Sequence, residues 1–302
     1  MKLKCFRCGK WDGKRCNCED GQTIFNGDSR KIMPLLPAAE MVFTSPPYWN
    51  QRQYELDEFD WDDVVPKVLI SSSDNSQILV NLGIVHKDGF VIRYWDSLIN
   101  EMEANGFRLF GWYVWEQGSG MPGDWNGRLA PSHEFIFHFN KEARHPNKWH
   151  LNKFAGHKHS KHGMRRKDGE VMPWSNPGAL TQPYKIPKSI ISVMRVNGRQ
   201  KGIDHPARFP VELPESIIKT WTDPGELVID PFLGSGPTLR ACKDLGRRGI
   251  GMDISENYCE QAANRLRAPT KPRLHIDIQK KLVASKKLEG FGFQKKKTAK
   301  KK

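Results

Sequence analysis

Long apolar runs are missing from this 302-residue sequence, in which 38% of the residues are hydrophobic. No stretch approaches the roughly 20 consecutive apolar residues that a membrane-spanning helix needs. The start of the chain is rich in lysine and then in cysteine, and it lacks the apolar segment of a secretory signal. Internal repeats are also absent, which excludes a repeat architecture. These absences predict a globular, cytoplasmic protein.

Acidic residues are scarce in two segments, although the whole chain has 34 of them. Residues 141–203 hold 14 Lys/Arg against three Asp/Glu, and residues 268–302 hold 12 against two. The formal net charge of +14 comes from these segments, and the rest of the chain is acidic on balance. Basic segments on an acidic core predict salt-sensitive binding of a polyanion through its phosphates. The alternatives are a solvated loop and a solubilising tail, and we expect the low-complexity end of the tail, residues 295–302, to be disordered.

The six cysteines are unevenly placed, because four of them fall within fourteen residues near the start of the chain. Cys5 and Cys8 form a Cys-x-x-Cys pair, and Cys16 and Cys18 form a Cys-x-Cys pair. Four thiolates satisfy a tetrahedral zinc ion, and in a cytoplasmic protein this pattern favours metal over disulfides. The spacing of the second pair is less usual, so reduced cysteines without a ligand remain the alternative. We expect residues 1–21 to form a zinc knuckle.

Short apolar strands alternate with helices through most of the chain, which is typical of an α/β core. The predicted strands cover residues 22–26, 40–44, 77–82, 107–115, 133–139, 226–230 and 249–253. The predicted helices cover residues 29–36, 91–105, 214–221, 237–245 and 256–267. These patterns stop between residues 141 and 203, where we expect an insert.

A strand, a glycine turn and a helix follow one another near the end of the predicted core. The strand ends at Asp230 and runs into Gly234 and Gly236, and a helix follows. Such a unit lets a nucleotide-like ligand approach the backbone closely. Asp253 ends the next strand, 17 residues after Gly236, near the spacing at which an acidic residue meets ribose hydroxyls. A full Gly-x-Gly-x-x-Gly is missing, which favours a ligand without pyrophosphate.

The hexapeptide TSPPYW occupies residues 44–49, directly after a predicted strand. The hydroxyl of Ser45 and the carbonyl of Pro46 offer two acceptors for the hydrogens of an exocyclic amino group. The consecutive prolines, Pro46 and Pro47, would fix the direction of that carbonyl. Tyr48 could stack on a base that has left its duplex. The alternative interpretation is a Pro-Pro turn that buries an aromatic side chain.

Together the two halves resemble the β-class DNA amino-methyltransferases, in which the catalytic tetrapeptide precedes the recognition region and the cofactor loop comes last. The resemblance covers about residues 22–267. Three further segments resemble the family's acidic element, core strand and cofactor-closing motif: Phe25–Asp28, Pro131–Phe135 and His205–Pro210. The resemblance implies a Rossmann-like S-adenosylmethionine-dependent methyltransferase fold: an α/β fold with a seven-stranded, mostly parallel sheet, helices on both faces and a basic target-recognition insert.

The resemblance also implies the domains and the roles of particular residues. The catalytic half would cover residues 22–140, the target recognition region 141–203, the cofactor-binding half 204–267 and the basic tail 268–302. Ser45, Pro46, Pro47 and Tyr48 would hold and activate a flipped base of double-stranded DNA. The cofactor, S-adenosyl-L-methionine, would be bound by Asp28, Thr44, Phe209, Asp230, Phe232, Gly234, Gly236 and Asp253. Such enzymes imply a bacterial, archaeal or phage source.

Ser45 bears on the target base. Many adenine N6 enzymes of this type have aspartate here, whereas serine is common in enzymes that resemble cytosine N4 methyltransferases. We therefore expect methylation of cytosine N4 at a specific DNA site, and adenine N6 remains the alternative. Cytosine C5 chemistry is disfavoured because it uses a Pro-Cys nucleophile, and no cysteine here follows a proline.

Two other classes of function remain open. A non-catalytic, zinc-containing DNA-binding protein would explain the cysteines and the basic segments but not the two motif halves. The large insert favours the reading of a duplex over an RNA amino-methyltransferase. His157, His159 and His162 lie among lysines and arginines, so we expect them to contact phosphates or solvent rather than a metal.

Overall fold

The computed structural model describes residues 3–14, 16–49, 60–120, 125, 127–158, 163–172, 178–195 and 210–270. Contacts within the chain define two compact units. The first unit contains the described residues up to Asn147 together with Lys188–Thr270. The second unit, as far as it is described, lies within Lys148–Pro187.

Strands and helices alternate along the first unit and become short in the second. The strands are β1 Gln22–Asn26, β2 Met41–Thr44, β3 Gln77–Leu82, β4 Val85–Lys87, β5 Phe90–Ile92, β6 Arg108–Glu116, β7 His133–Asn140, β8 His150–Leu151, β9 Met164–Arg165, β10 Val171–Met172, β11 Tyr184–Lys185, β12 Ile190–Ser192, β13 Leu227–Asp230 and β14 Arg248–Asp253. The helices are α1 Ser29–Ile32, α2 Trp61–Ile70, α3 Trp95–Ala104, α4 Glu212–Trp221, α5 Pro237–Leu245 and α6 Glu256–Arg267, and a 3₁₀ turn covers Met33–Leu35.

One large sheet organises the first unit. Its strand order is β1-β14-β13-β2-β3-β7-β6-β12, so it has eight strands among the described residues. The first five strands run parallel, β7 is antiparallel to both of its neighbours, and β12 is parallel to β6. The expected number of seven strands was therefore wrong by one. The extra strand is β12, which satisfies backbone groups of β6 from a segment expected to be an irregular insert.

Alternating residues of the central strands face two different helical layers. On β2, Val42 packs in the apolar cluster that includes α2 and α3, whereas Met41 and Phe43 pack in the cluster that includes α4 and α5. On β3, Ile78 and Leu79 divide between the same two clusters. Because successive side chains of a strand point to opposite faces, the buried sheet needs helices on both sides.

Two local elements differ from the expected ones. Helix α2 has no counterpart among the predicted helices, although Asp60 caps it by accepting hydrogen bonds from the amides of Asp62 and Asp63. Its internal Pro66 weakened the helical signal. Helix α3 begins at Trp95 rather than at residue 91, because the preceding residues pair as the hairpin β4–β5.

The second unit is built from short antiparallel pairs. Strand β8 pairs with β11, and β9 pairs with β10. Residues 148–187 of this unit form the centre of the expected recognition region 141–203. The flanks of that region belong to the first unit, where Arg144 forms ion pairs with Asp223 and Glu226. Among the described residues, the helices are all too short or too polar to cross a membrane.

Candidate active site

The candidate site lies at the edge of the sheet where its parallel strands end. Four neighbouring strands end there at Asn26, Asp253, Asp230 and Thr44. In open α/β sheets, ligands bind outside the carboxyl ends of the strands. The two sequence motifs, which are far apart in the chain, therefore meet at one edge.

A tight glycine loop joins β13 to α5. Gly236 has a φ of +76°, and a Cβ added there would lie 2.6 Å from the Cβ of Ala262. This position therefore requires glycine both for its backbone conformation and for the close approach of α6. Helix α5 begins at Pro237 without a side-chain cap, so its first amides face the loop.

Asp253 organises the loop from the neighbouring strand. Its carboxylate accepts hydrogen bonds from the amides of Gly234 and Ser255, both at 2.9 Å. A carboxylate has about four acceptor positions, so one such group can hold backbone amides and ribose hydroxyls together. These contacts fit a nucleoside-like ligand seated over the loop.

Asp230 and Thr44 join the two motif halves directly. The hydroxyl of Thr44 donates to Oδ1 of Asp230 at 2.7 Å, and both side chains are buried. The amide of Phe232 donates to the same oxygen at 3.2 Å. Burial raises the pKa of Asp230 to about 6, against the opposing effect of its hydrogen bonds. This pair therefore fixes β2 against the strand that carries the glycine loop.

The acidic element after β1 lies beside Asp253. Asn26 Nδ2 and the amide of Gly27 donate to the carbonyl of Asp253 at 3.1 and 2.9 Å. The Asp28 carboxylate caps α1 and pairs with Arg30 at 2.9 Å. Partial burial would raise the Asp28 pKa, but hydrogen bonds and the charge of Arg30 outweigh it and lower that pKa.

Of the two predicted cofactor phenylalanines, Phe232 lies within the described residues. Phe232 is partly buried and packs against the apolar cluster of α2 and α3. Phe209 and most of the motif 205–210 lie outside the described residues.

The tetrapeptide Ser45–Tyr48 follows β2 and is held by polar side chains of neighbouring strands. Tyr48 Oη donates to Oε2 of Glu134 at 2.6 Å. Asn81 Nδ2 donates to the same carboxylate oxygen at 2.6 Å, to Tyr48 Oη at 3.1 Å and, at a longer 3.5 Å, to Ser45 Oγ. The indole of Trp61 donates to the carbonyl of Pro47 at 2.8 Å.

Tyr48 is confined by its surroundings. A Cβ added to Gly83 would lie 2.5 Å from Cε2 of the Tyr48 ring, so that glycine leaves room for the ring. Burial, and then the charge of Glu134, raise the pKa of Tyr48 well above its ordinary value. The phenol therefore stays protonated and remains a donor to Glu134.

Asn81 and Glu134 were not predicted as site residues. The signal for Asn81 is a polar side chain, 1% exposed, within an otherwise apolar part of β3. Its Oδ1 is buried and accepts no hydrogen bond. Glu134 lies in the segment that resembles the family's core strand, and its hydrogen bonds with Tyr48 and Asn81 distinguish it from an ordinary strand residue.

The cysteine cluster comprises Cys5, Cys8, Cys16 and Cys18, and it lies apart from the strand ends described above. Its four sulfur atoms all lie within 4.8 Å of one another, and no other group of potential metal ligands occurs among the described residues. The sulfurs of Cys5 and Cys18 are 3.9 Å apart. This arrangement suits a tetrahedral ion such as zinc.

The predicted histidine group is described only in part. His157 lies in the second unit next to Phe154, with ring centroids 6.1 Å apart. His159 and His162 lie outside the described residues.

A mostly parallel sheet with helices on both faces, a glycine loop and an acidic strand end defines a Rossmann-like α/β protein, as expected. The chain belongs to the N6/N4 DNA methylase family, whose family model, described as DNA methylase, matches residues 39–264. The expected relationship to the DNA amino-methyltransferases is thereby confirmed.

Curated relatives match most of the chain. The orphan methyltransferase M.BamHII of Bacillus amyloliquefaciens is 27% identical over 270 residues, which cover 84% of this chain and 94% of the relative. The type II methyltransferase M.XycI of Xanthomonas campestris pv. cyanopsidis is 27% identical over 289 residues, which cover 82% and 88%.

Solved structures share the fold. PvuII DNA methyltransferase (cytosine-N4-specific) has a TM-score of 0.60 at 21% identity, over 87% of this chain and 93% of that chain. M1.HpyAVI in complex with SAM has a TM-score of 0.54 at 22% identity, over 82% and 100%. Both similarities support the methyltransferase fold.

Proposed function

We propose that this DNA methylase transfers a methyl group from S-adenosyl-L-methionine to the exocyclic N4 of cytosine at a specific site in double-stranded DNA. The observation that carries the proposal is the 2.7 Å hydrogen bond between Thr44 and Asp230. It fixes the strand that leads to Ser45 beside the strand that leads to the glycine loop. A base held at Ser45 and a cofactor held at the loop would therefore be neighbours.

The cofactor would be held by groups at the strand ends, and when bound it supplies the methyl group and leaves as S-adenosylhomocysteine. Asp253, at the end of β14 beside the glycine loop, would accept hydrogen bonds from the ribose hydroxyls. Asp28, Phe232 and Phe209 would complete the contacts. That a solved neighbour is a SAM complex supports this choice of cofactor.

The target amino group would be activated by hydrogen-bond acceptors. Ser45 Oγ and the carbonyl of Pro46 would accept its two hydrogens, which draws the nitrogen toward a tetrahedral geometry and frees its lone pair. The bound cofactor would supply its methyl group to this nitrogen, and the nitrogen would release one proton to solvent along the hydrogen bonds to Ser45 and Pro46. The enzyme forms no covalent bond with the base.

Ser45 also supports cytosine over adenine. The family covers both N6 and N4 methylases, and the PvuII methyltransferase, which shares the fold with a TM-score of 0.60, is cytosine-N4-specific. Adenine N6 is the second candidate, since the same two acceptors could hold its amino group.

Target recognition is assigned to the second unit. Arg165 and Arg166 are exposed in this unit, and its residues 148–187 carry eight Lys/Arg against two Asp/Glu. Such charge suits the phosphates of a duplex, while base contacts set the site. We also propose that the cysteine cluster holds one zinc ion, because its four sulfurs already lie within 4.8 Å of one another.

The product identifies the function. Unmethylated double-stranded DNA is incubated with enzyme and cofactor, digested to nucleosides and analysed by mass spectrometry, with an RNA of the same sequence in parallel. N4-methylcytosine from DNA supports the proposal, and N6-methyladenine replaces it with the second candidate. No product from DNA, together with no affinity for S-adenosylmethionine or S-adenosylhomocysteine in calorimetry, would instead leave a non-catalytic DNA-binding protein.

A further inference from the structure

The N-terminal segment, residues 3–14 and 16–21, contacts β1, the first strand in the sheet order. Residues 3–14 and 16–21 contain no helix or strand. Nevertheless, the amide of Phe6 donates to the carbonyl of Ile24 at 2.7 Å, and the Arg7 guanidinium donates to the carbonyl of Gln22 at 2.9 Å. The other side of β1 pairs with β14. The segment therefore supplies hydrogen-bond partners to a strand that would otherwise be an open edge.

Side chains strengthen this contact. The ring of Trp11 meets the ring of Phe25 edge to face, with centroids 5.1 Å apart. Arg7 also forms an ion pair with Asp20 at 2.7 Å, and both side chains are largely buried. Such a short segment has few apolar residues of its own, so it needs another constraint to hold this shape.

The cysteine cluster provides that constraint. Cys5 is 1% exposed and Cys16 is 8% exposed, so the cluster is shielded on the side of the sheet. The hydroxyl of Thr23, on β1, donates to the sulfur of Cys16 at 3.1 Å. This is the kind of outer hydrogen bond that orients a metal ligand, and here it comes from the strand itself.

The same strand reaches the candidate active site. Strand β1 ends at Asn26, and both Asn26 and Gly27 donate to the carbonyl of Asp253. A path of contacts therefore runs from the cysteine cluster through β1 to the backbone carbonyl of Asp253, the residue whose carboxylate supports the glycine loop.

We infer that a zinc ion held by Cys5, Cys8, Cys16 and Cys18 fastens the N-terminal segment onto β1 and thereby sets the affinity of the active site for its cofactor. Only the part of the inference that concerns cofactor affinity rests on the proposed function. Metal ligation fixes the segment, the segment completes the edge of β1, and β1 positions the acidic element beside Asp253.

The test compares four forms of the full chain, all kept reduced: wild type, Cys18→Ser, Trp11→Ala and the control Cys242→Ala, whose cysteine is buried far along the chain. Metal content is measured by plasma mass spectrometry, and exchange of the β1 amides by hydrogen–deuterium exchange. Affinity for S-adenosylmethionine is measured by calorimetry. Cobalt replaces zinc in wild type as a spectroscopic check, since tetrahedral thiolate ligation gives characteristic visible absorption.

We expect about one zinc per chain in wild type, Trp11→Ala and Cys242→Ala, and loss of zinc in Cys18→Ser. Exchange of the β1 amides should accelerate in Cys18→Ser and Trp11→Ala, and their cofactor Kd should rise about ten-fold, within the range typical of coupled sites. Trp11→Ala keeps all four ligands, so it tests the contact with β1 even if Cys18→Ser does not fold.

Wild type without zinc and without the cobalt absorption would overturn the metal site. Zinc in wild type with unchanged β1 exchange and unchanged cofactor Kd in Trp11→Ala would overturn the coupling. If wild type itself binds no cofactor, the proposed function fails, while metal content and β1 exchange still decide the inference.

Discussion

The hydroxyl of Tyr48 lies 2.6 Å from a carboxylate oxygen of Glu134, and that same oxygen accepts a hydrogen bond from Asn81 at 2.6 Å. One acidic side chain on β7 therefore holds the last residue of the tetrapeptide and the amide that reaches toward Ser45. Glu134 is a positioning residue, because it acts through Tyr48 and Asn81.

Replacing Glu134 by glutamine should lower the rate of methyl transfer about ten-fold or more. A hydrogen bond to a charged group contributes about 1.5–3 kcal/mol, and 1.36 kcal/mol corresponds to a factor of ten in rate. Single-turnover kinetics measure the rate, and calorimetry should give an unchanged cofactor Kd. Glu142→Gln, at an exposed position nearby in the chain, is the matched control. If Glu134→Gln and Glu142→Gln have the same rate of methyl transfer, Glu134 does not have the positioning role assigned to it.

Ser45→Ala should lose most methyl transfer, about 100-fold, as expected for the removal of one group that stabilises developing charge. Cofactor affinity should be retained, because Ser45 lies on the side of the base. The matched control is Ser71→Ala at the exposed end of α2. Full activity in Ser45→Ala would refute the role assigned to its hydroxyl.

Thr44→Val should lower the free energy of unfolding by about 1–3 kcal/mol, because it leaves the buried Asp230 carboxylate without its 2.7 Å donor. Urea-induced unfolding measures the change. Thr44→Ser keeps the hydroxyl, so its free energy of unfolding should stay close to that of wild type. If valine and serine behave alike, the contact does not stabilise the junction between β2 and β13.

The titration of Asp230 should make the free energy of unfolding depend on pH. Burial raises its pKa to about 6, whereas an aspartate in an unfolded chain titrates near 3.9. Between about pH 4 and pH 6 the folded protein therefore binds more protons, and the contribution of Asp230 to the free energy of unfolding falls as pH rises.

The comparison is with Asp230→Asn, measured without cofactor by urea unfolding at several pH values. The variant should gain stability relative to wild type as the pH rises from about 4 to about 7, and the difference should be constant above about pH 7. A difference that does not vary with pH would show that the pKa of Asp230 is ordinary in the folded protein.

The second unit should contact DNA through its basic side chains. Replacing both Arg165 and Arg166, which are exposed, with alanine should weaken DNA binding and reduce the salt dependence by about one unit of log–log slope per lost phosphate contact. Fluorescence anisotropy over a range of salt concentrations measures both effects. Arg267→Ala, at the exposed end of α6, should change neither. Unchanged binding in the double variant would remove these two arginines from the interface.

The sequence predicted the architecture because its local signals agree with one another. Each strand of the parallel core has an apolar run that ends near a glycine, a proline or an acidic residue, and these strands were placed within one or two residues. Helix α2 and strand β12 were missed. Helix α2 contains an internal proline, which weakens its helical pattern. Strand β12 is only three residues long, and it is a strand because it pairs with β6.

The sequence by itself determined the glycine loop at Gly234–Gly236 and the tetrapeptide at Ser45–Tyr48, because each is a short continuous segment whose chemistry is local. The order of these two motifs along the chain determined the family. The tertiary structure alone decided how they are supported. Glu134 follows Tyr48 by 86 positions and Asp230 follows Thr44 by 186. Contacts at such separations depend on strand order and on the side of the sheet that each residue faces, and neither is written in the neighbouring sequence.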